Sequence, residues 1–251
     1  MAAVGRALVL LRVEDHDRQR SRPEFDDALL EDLAWLGFVA DEGPVRQSDS
    51  DEPYASALAR LRAGGLVYAC DCSRVDFAGG PFAGPGCPGS CRERPLEEGP
   101  GRTLRAALGA GREAWMDGLV GPMAGDVAER GDLPIRDRHG NWTYAFAVVV
   151  DDHRQGVDLV IRGRDLLDAT APQIRLARLL GRDAPPAFLH HPLIRKPGGA
   201  KLSKADRDTS VRDLRAAGAT PAAVIGRAAA AVGLVAAPSP VRANEVGALF
   251  A

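Results

Sequence analysis

The placement of cysteine constrains this 251-residue chain more than any other feature. All four cysteines lie between positions 70 and 91, in the segments Cys70-Asp71-Cys72 and Cys87-Pro88-Gly89-Ser90-Cys91. Two close pairs separated by a Gly- and Pro-rich loop can supply four thiolates to one tetrahedral zinc ion. Two disulfides or four unrelated core cysteines are the alternatives, and disulfides are disfavoured in a cytoplasmic chain. Because four thiolates leave no open position for water, the pattern predicts a structural zinc site that orders a loop.

The remainder of the chain alternates between strand and helix patterns, which predicts an α/β fold with an irregular insertion. Two segments have the form of a capping box, Ser21-Arg22-Pro23-Glu24 and Thr170-Ala171-Pro172-Gln173, and each should begin a helix. Tyr54, Leu58 and Leu61 should face inward from another helix. We expect strands at 4–13, 66–70, 132–137, 141–150 and 157–162, a loop at 77–101, and helices at 25–36, 52–63, 170–180, 211–217 and 221–232.

Charge and hydropathy limit the partners and the compartment. The formal charge is −2, so attraction to a nucleic acid would require a local positive surface. No apolar run is long enough to span a bilayer. The short run Ala7–Leu11 is followed at once by charged residues and has no small-residue cleavage site, so a buried strand and a cytoplasmic protein are expected.

Lysine is confined to one segment. Only three of the 32 basic residues are Lys, at positions 196, 201 and 204, beside the turn Gly198-Gly199. A solvated basic loop is one interpretation. The other is that these mobile ammonium groups neutralise charge that develops on a phosphate during nucleotidyl transfer.

Several segments together resemble the class I aminoacyl-tRNA synthetases, and in particular the glutamyl-tRNA synthetases. Lys201-Leu202-Ser203-Lys204 resembles their Lys-Met-Ser-Lys-Ser signature, with Ala205 in place of the final Ser. Leu11-Arg12-Val13-Glu14-Asp15-His16-Asp17 resembles their Leu-Arg-Ile-Glu-Asp-Thr-Asp stretch. Further similar segments are Ser21–Glu24, Trp142–Asp152, Gln155-Gly156, Val160–Leu167 and His190–Leu193. The resemblance covers residues 8–208 and implies a Rossmann-like parallel sheet.

Two features favour the glutamyl-queuosine branch of this family. Its zinc site typically uses three Cys and a Tyr, and Cys87 stands at the Tyr position here. Few residues follow the lysine motif, whereas a glutamyl-tRNA synthetase continues into helical anticodon-binding domains. The resemblance implies a catalytic domain at 1–69 and 146–205, a zinc-containing insertion at 70–145 and a short helical C-terminal tail at 206–251. It also implies that the protein, expected to be a monomer, activates glutamate with ATP and esterifies queuosine in the anticodon loop of tRNA(Asp).

The same resemblance assigns roles to individual residues. Glu14 would bind the amino group of glutamate, and Tyr144 would form a hydrogen bond to the same substrate. Arg162 would bind the side-chain carboxylate through its bidentate fork. Lys201 and Lys204 would be catalytic, with Lys204 contacting the ATP phosphates. Without the resemblance, Glu14 and Arg162 could form an ordinary ion pair, and Tyr144 could be a packing aromatic.

The chain departs from the family pattern at its start. It contains no His-x-Gly-His segment, the signature that in this family binds ATP, and the first strand and helix of the nucleotide-binding sheet are missing with it. Either the natural protein begins upstream of Met1, or this is a paralogue that no longer makes adenylate. A sheet without a central strand would expose backbone groups, which favours an upstream start. The alternative functions are a non-catalytic tRNA-binding paralogue and a fragment of a glutamyl-tRNA synthetase that charges tRNA(Glu).

Overall fold

A computed structural model describes residues 7–16, 21–73, 76, 86–194 and 210–250. The chain divides into two compact units. We call Met1–Val13, Ser21–Arg46 and Pro192–Ala251 the terminal unit, and Glu14–Arg20 with Gln47–His191 the central unit. No described helix has the length and apolar character that a membrane crossing requires.

The described part of the terminal unit includes a two-stranded parallel sheet and three α-helices. Its strands are β1 (Leu10–Val13) and β2 (Glu42–Arg46), and its helices are α1 (Pro23–Leu36), α5 (Val211–Ala216) and α6 (Pro221–Ala231). The predicted end of α1 is confirmed, because Gly37 adopts the left-handed conformation with φ 84°. The predicted capping box is wrong: Arg22 is the N-cap and makes no side-chain cap, since Pro23 already begins the helix.

The described part of the central unit includes two sheets and three α-helices. The helices are α2 (Glu52–Ala63), α3 (Tyr144–Arg154) and α4 (Thr170–Leu179). One sheet has the order β3-β4-β7 and is antiparallel, with β3 Val67–Cys70, β4 Thr103–Ala106 and β7 Leu133–Arg136. The other has the order β6-β5-β9-β8, with β5 Arg112–Asp117, β6 Gly121–Asp126, β8 Leu159–Gly163 and β9 Ala187–His191. Strands β5, β9 and β8 run parallel and β6 is antiparallel, so the fold is α/β with a mixed sheet.

Helix α2 confirms the helical spacing in the sequence. Tyr54, Leu58 and Leu61 are at most 4% exposed, and they pack against α3 residues such as Phe146 in the main core. Burial of each such side chain contributes about 1.5–3 kcal/mol. The predicted helix bounds, 52–63, agree with the structure.

The predicted strand at 141–150 is wrong. Its last seven residues form the first two turns of α3, and the five from Phe146 to Val150 are all buried. A helix that is enclosed on nearly all sides loses its amphipathic period, so its sequence looks like a strand buried on both faces. A turn does precede it, because Arg136 and Trp142 form an antiparallel bridge across residues 137–141.

The second predicted capping box is also wrong, although the helix begins where expected. The N-cap of α4 is Ala169, and it makes no side-chain cap. Thr170 and Gln173 are buried instead, and both accept hydrogen bonds from Arg162. Their polar side chains therefore form hydrogen bonds to Arg162 on a neighbouring strand and do not cap the helix.

Candidate functional site

The candidate site centres on Arg162, the last residue but one of strand β8 and only 8% exposed. Its Nε donates to Nε2 of His190 at 2.9 Å, and its two Nη atoms donate to Oε1 of Gln173 at 2.7 Å and Oγ1 of Thr170 at 2.8 Å. The guanidinium carbon also lies 5.2 Å from the centre of the Phe188 ring. Strand register explains part of this arrangement, because Arg162 and His190 are directly paired across parallel strands β8 and β9.

All three of these acceptors are neutral, which is unusual for a buried cation. Buried charges in proteins are normally paired with an opposite charge. Within the described part of the chain, no carboxylate forms an ion pair with Arg162, so the ion pair with Glu14 considered above is not formed. Burial lowers the pKa of the Arg162 guanidinium, although Tyr144 and the carboxylates of Asp152 and Asp117 act in the opposite direction. The positive charge is therefore available to an anionic ligand.

Asp117 holds His190 from the side opposite to Arg162. Its Oδ2 lies 2.5 Å from Nδ1 of the His190 ring, and both side chains are at most 1% exposed. Its Oδ1 accepts from the backbone N–H groups of Leu119, Val120 and His190 at 3.0–3.2 Å. Burial opposes ionisation of Asp117, but the hydrogen bonds from His190 and the backbone outweigh it and lower the pKa of this carboxyl to about 2.

Tyr144 brings the predicted glutamate-binding residues together. It is the first residue of α3, and its N-cap Thr143 is fixed by a 2.5 Å hydrogen bond from Oγ1 to the carbonyl oxygen of Pro134. Burial raises the pKa of Tyr144, the carboxylate of Glu14 raises it further, and interaction with Arg162 lowers it. The Tyr144 hydroxyl therefore lies within electrostatic range of an anion and a cation, as a zwitterionic amino acid requires.

The segment that carries Glu14 is fixed by a buried polar network. Nδ1 of His16 lies 2.7 Å from Oε1 of Gln47, whose Nε2 donates to Asp151 at 2.7 Å. The fully buried Asp151 also accepts from Tyr54 and Arg154. Residues 14–16 are thereby attached to helices α2 and α3, which places Glu14 on the same unit as Tyr144 and Arg162.

The four cysteines form one cluster, as their spacing predicts. Their sulfur atoms all lie within 4.8 Å of one another, with Cys72 Sγ 3.3 Å from Cys91 Sγ and 3.9 Å from Cys87 Sγ. All four are free thiols, so the disulfide alternative is not supported. Tetrahedral zinc with Zn–S bonds of roughly 2.3 Å needs sulfur atoms about 3.8 Å apart, and the cluster fits that requirement.

Neighbouring residues support the cysteine cluster. Arg138 donates to the carbonyl oxygens of Asp71 and Cys72, and the N–H of Asp132 donates to the carbonyl of Cys87. Burial raises the pKa of the Cys70 thiol. Burial acts in the same direction on Cys87, but hydrogen bonds from Ser90 and from backbone N–H groups outweigh it and lower the Cys87 pKa to about 6.

Sequence reasoning located some of these residues and missed others. Tyr144 lies within electrostatic range of both Glu14 and Arg162, and the four cysteines form one cluster. Lys201 and Lys204 lie outside the described residues. No sequence pattern pointed to Asp117, whereas His190 lies in a segment that resembled the family and could have been found there.

A cleft of about 760 Å³ lies between residues 98–104 and 136–140. It is lined by none of the predicted glutamate-binding residues or cysteines.

Comparison with known proteins gives first the class of protein and then the family. The family described as "tRNA synthetases class I (E and Q), catalytic domain" matches residues 4–77 and 91–234. The fold and the site thus define a class I synthetase catalytic domain. A glutamyl-Q tRNA(Asp) synthetase from Symbiobacterium thermophilum is 42% identical over 263 residues, covering 96% of this chain and 81% of the relative. Another from Nitratidesulfovibrio vulgaris is 39% identical over 249 residues, covering 90% and 76%. The chain belongs to the glutamyl-Q tRNA(Asp) synthetase family.

A solved structure agrees with this assignment. The crystal structure of a glutamate tRNA ligase from Elizabethkingia meningosepticum, in complex with its amino acid, has a TM-score of 0.71 and 26% sequence identity to this chain. The match covers 90% of this chain and 53% of that protein, so the chain spans about half the length of that structure.

Proposed function

We propose that this chain uses ATP to activate glutamate and transfers the glutamyl group to queuosine at the wobble position of tRNA(Asp). In the first step a carboxylate oxygen of glutamate attacks the α-phosphorus of ATP and pyrophosphate leaves. In the second step a queuosine hydroxyl attacks the glutamyl carbonyl, AMP leaves, and an ester remains. The names of the relatives support this reaction.

The observation that carries the proposal is the buried guanidinium of Arg162, whose hydrogen-bond acceptors among the described residues are all neutral. Arg162 binds the side-chain carboxylate of glutamate, and Glu14, across Tyr144, binds the ammonium group. This arrangement leaves the α-carboxylate to attack ATP. It also disfavours glutamine, whose neutral amide would leave a buried cation uncompensated.

Three further assignments complete the proposal. The four cysteines hold one zinc ion that orders the surrounding loop and takes no part in the reaction, as a saturated thiolate shell implies. Lys204, with Lys201, contacts the ATP phosphates, on the evidence of the sequence motif. The division into a catalytic domain, a zinc-containing insertion and a helical tail stays a prediction. The protein is a cytoplasmic monomer. Its binding partner is the anticodon loop of tRNA(Asp).

The test is transfer of labelled glutamate to tRNA in the presence of ATP. We expect tRNA(Asp) that contains queuosine to be labelled, and the same tRNA with an unmodified wobble guanosine to remain unlabelled. tRNA(Glu) is the matched control for the alternative acceptor. Labelling of tRNA(Glu), or equal labelling of both forms of tRNA(Asp), would contradict the proposed acceptor.

A further inference from the structure

We propose that Asp117 and His190 are positioning residues that aim the Arg162 guanidinium at its carboxylate ligand, with His190 held as the neutral tautomer protonated on Nδ1. The inference deepens the proposed function, because it concerns how the glutamate carboxylate is recognised. Neither residue is expected to touch the substrate. Both act through Arg162.

The position of the proton follows from the chemistry of the donors. A guanidinium has five N–H donors and no acceptor, so the Nε of Arg162 can only donate. The Nε2 of His190, 2.9 Å away, must therefore accept and carries no proton. A neutral imidazole has its single proton on the other nitrogen, which is Nδ1 and faces Asp117 at 2.5 Å.

Asp117 is well suited to keep that tautomer. Its Oδ1 is occupied by three backbone N–H groups and its Oδ2 by the imidazole, so four donors converge on one carboxylate. Protonation of either oxygen would place a hydrogen against a donor, so the carboxyl group is retained as an acceptor. The hydrogen bonds thus run in one direction, from Arg162 to His190 and from His190 to Asp117.

The imidazole also separates the two charges. If Asp117 contacted Arg162 directly, the pair would neutralise the guanidinium and compete with a substrate carboxylate. With His190 between them, the carboxylate fixes the orientation of the cation without pairing with it. Thr170 and Gln173 fix the two Nη atoms with neutral groups in the same way. The guanidinium plane is therefore set before glutamate arrives, which reduces the entropy lost on binding.

The decisive variant is Asp117→Asn. If the Asn oxygen faces the backbone N–H groups, its NH₂ faces Nδ1–H of His190, so the ring must change tautomer and present Nε2–H to the Nε–H of Arg162. If the oxygen faces His190, the NH₂ opposes the backbone donors. Both arrangements contain a donor–donor contact. We expect glutamate affinity to fall about ten- to a hundredfold, the range for a charged hydrogen bond, with ATP affinity changed less than twofold.

Nitrogen-15 spectra of histidine-labelled protein test the tautomer directly, without any ligand. The His190 signals are identified by their loss in His190→Leu. Wild-type His190 should have its proton on Nδ1, and Asp117→Asn should alter that signature. Glu113→Gln is the matched control, since Glu113 is a buried carboxylate on the same strand β5 that binds Arg175 and Arg178 rather than His190. It should leave both the tautomer and the glutamate affinity unchanged.

A second pair of variants applies if Asp117→Asn does not fold. The side chain of Gln can donate to Asp117 and accept from Arg162, so His190→Gln should retain more glutamate affinity than His190→Leu. A wild-type proton on Nε2, or equal affinities in the Gln and Leu variants, would overturn the inference. So would unchanged glutamate affinity in Asp117→Asn alongside a loss in Arg162→Ala. Unchanged affinity in Arg162→Ala would instead refute the proposed carboxylate site, while the tautomer measurement still tests the positioning chain.

Discussion

At the scale of single residues, two buried charges of the central unit differ in their surroundings. Glu113 is 2% exposed and faces both Arg175 and Arg178, so its charge is compensated within the chain. Arg162 is also buried, at 8% exposed, but its hydrogen-bond acceptors in the described part of the chain are all neutral. A buried charge without an opposite charge beside it is costly, so the placement of Arg162 indicates a function rather than a contribution to stability.

The sequence predicted Arg162 only through resemblance to a family, and it gave the wrong role to Thr170 and Gln173. Hydroxyl and amide groups at that spacing are typical of a helix cap, but burial beside a guanidinium overrides the local preference. Asp117 lies in a strand that no pattern predicted. Its role depends on a partner 73 positions away, and local sequence contains no information about such a contact.

Substitution of Arg162 tests the charge itself. We expect Arg162→Ala to weaken glutamate binding by about 1.5–3 kcal/mol, roughly ten- to more than a hundredfold, with little change in ATP binding. Titration calorimetry with each ligand measures both. Arg105→Ala is the matched control, because Arg105 is 4% exposed and donates to the carbonyl of Asp132. Equal losses for glutamate and ATP would indicate a structural Arg.

The lowered pKa of Asp117 gives a prediction for acid stability. Because its folded pKa of about 2 lies below the unfolded value near 3.9, ionised Asp117 stabilises the fold above about pH 4, and this contribution is lost as the pH falls through 2. It amounts to roughly 2–3 kcal/mol. Urea unfolding at pH 5 and pH 2 should therefore show a smaller acid-induced loss in Asp117→Asn than in the wild type. An identical loss in both proteins would exclude Asp117 as a source of acid sensitivity.

At the scale of elements, the accuracy of the sequence predictions followed the environment of each segment. Helix α2 has one buried face, so its apolar period is visible and its bounds were predicted correctly. Helix α3 is buried along most of its length, and its period disappears into a continuous apolar run. The hairpin of β5 and β6 was missed because Gly121, Pro122 and Gly125 make β6 look like a loop. Tertiary packing decides such segments, and a single sequence does not record it.

Helix α6 offers a test of close packing in the terminal unit. A Cβ added at Gly226 would lie 1.7 Å from the carbonyl oxygen of Ser239, a backbone atom that cannot move aside cheaply. Gly→Ala inside a helix otherwise stabilises by about 1 kcal/mol. We expect Gly226→Ala to lower the free energy of unfolding by about 3 kcal/mol instead. The control is Gly247→Ala, where a Cβ meets nothing within 4 Å, so its stability in urea should be almost unchanged. Equal effects of the two variants would show that residues 239–240 can withdraw from the helix.

At the scale of the whole molecule, the formal charge of −2 gives no general attraction to RNA. Any electrostatic contact with tRNA must therefore come from local groups of cationic side chains. All four cysteines of the chain lie in a single cluster, which connects β3 to residues 86–91. The described residues 86–102 contain no helix or strand, so few backbone hydrogen bonds hold this segment apart from the cluster and its neighbours.

Metal content tests this role of the cluster. We expect purified protein to contain one zinc ion per chain, bound through Cys70, Cys72, Cys87 and Cys91, because their sulfur atoms fit a tetrahedral shell. Chelation should expose residues 86–101 to protease while amide protection in the β5–β9–β8 sheet persists, since that sheet contains no ligand. Cys72→Ser should lose zinc at a chelator concentration that leaves the wild type loaded. Ser90→Ala removes only a hydroxyl 3.6 Å from Cys87 Sγ and should keep its zinc. Metal-free protein with an unchanged protease pattern would show that packing alone orders the cluster.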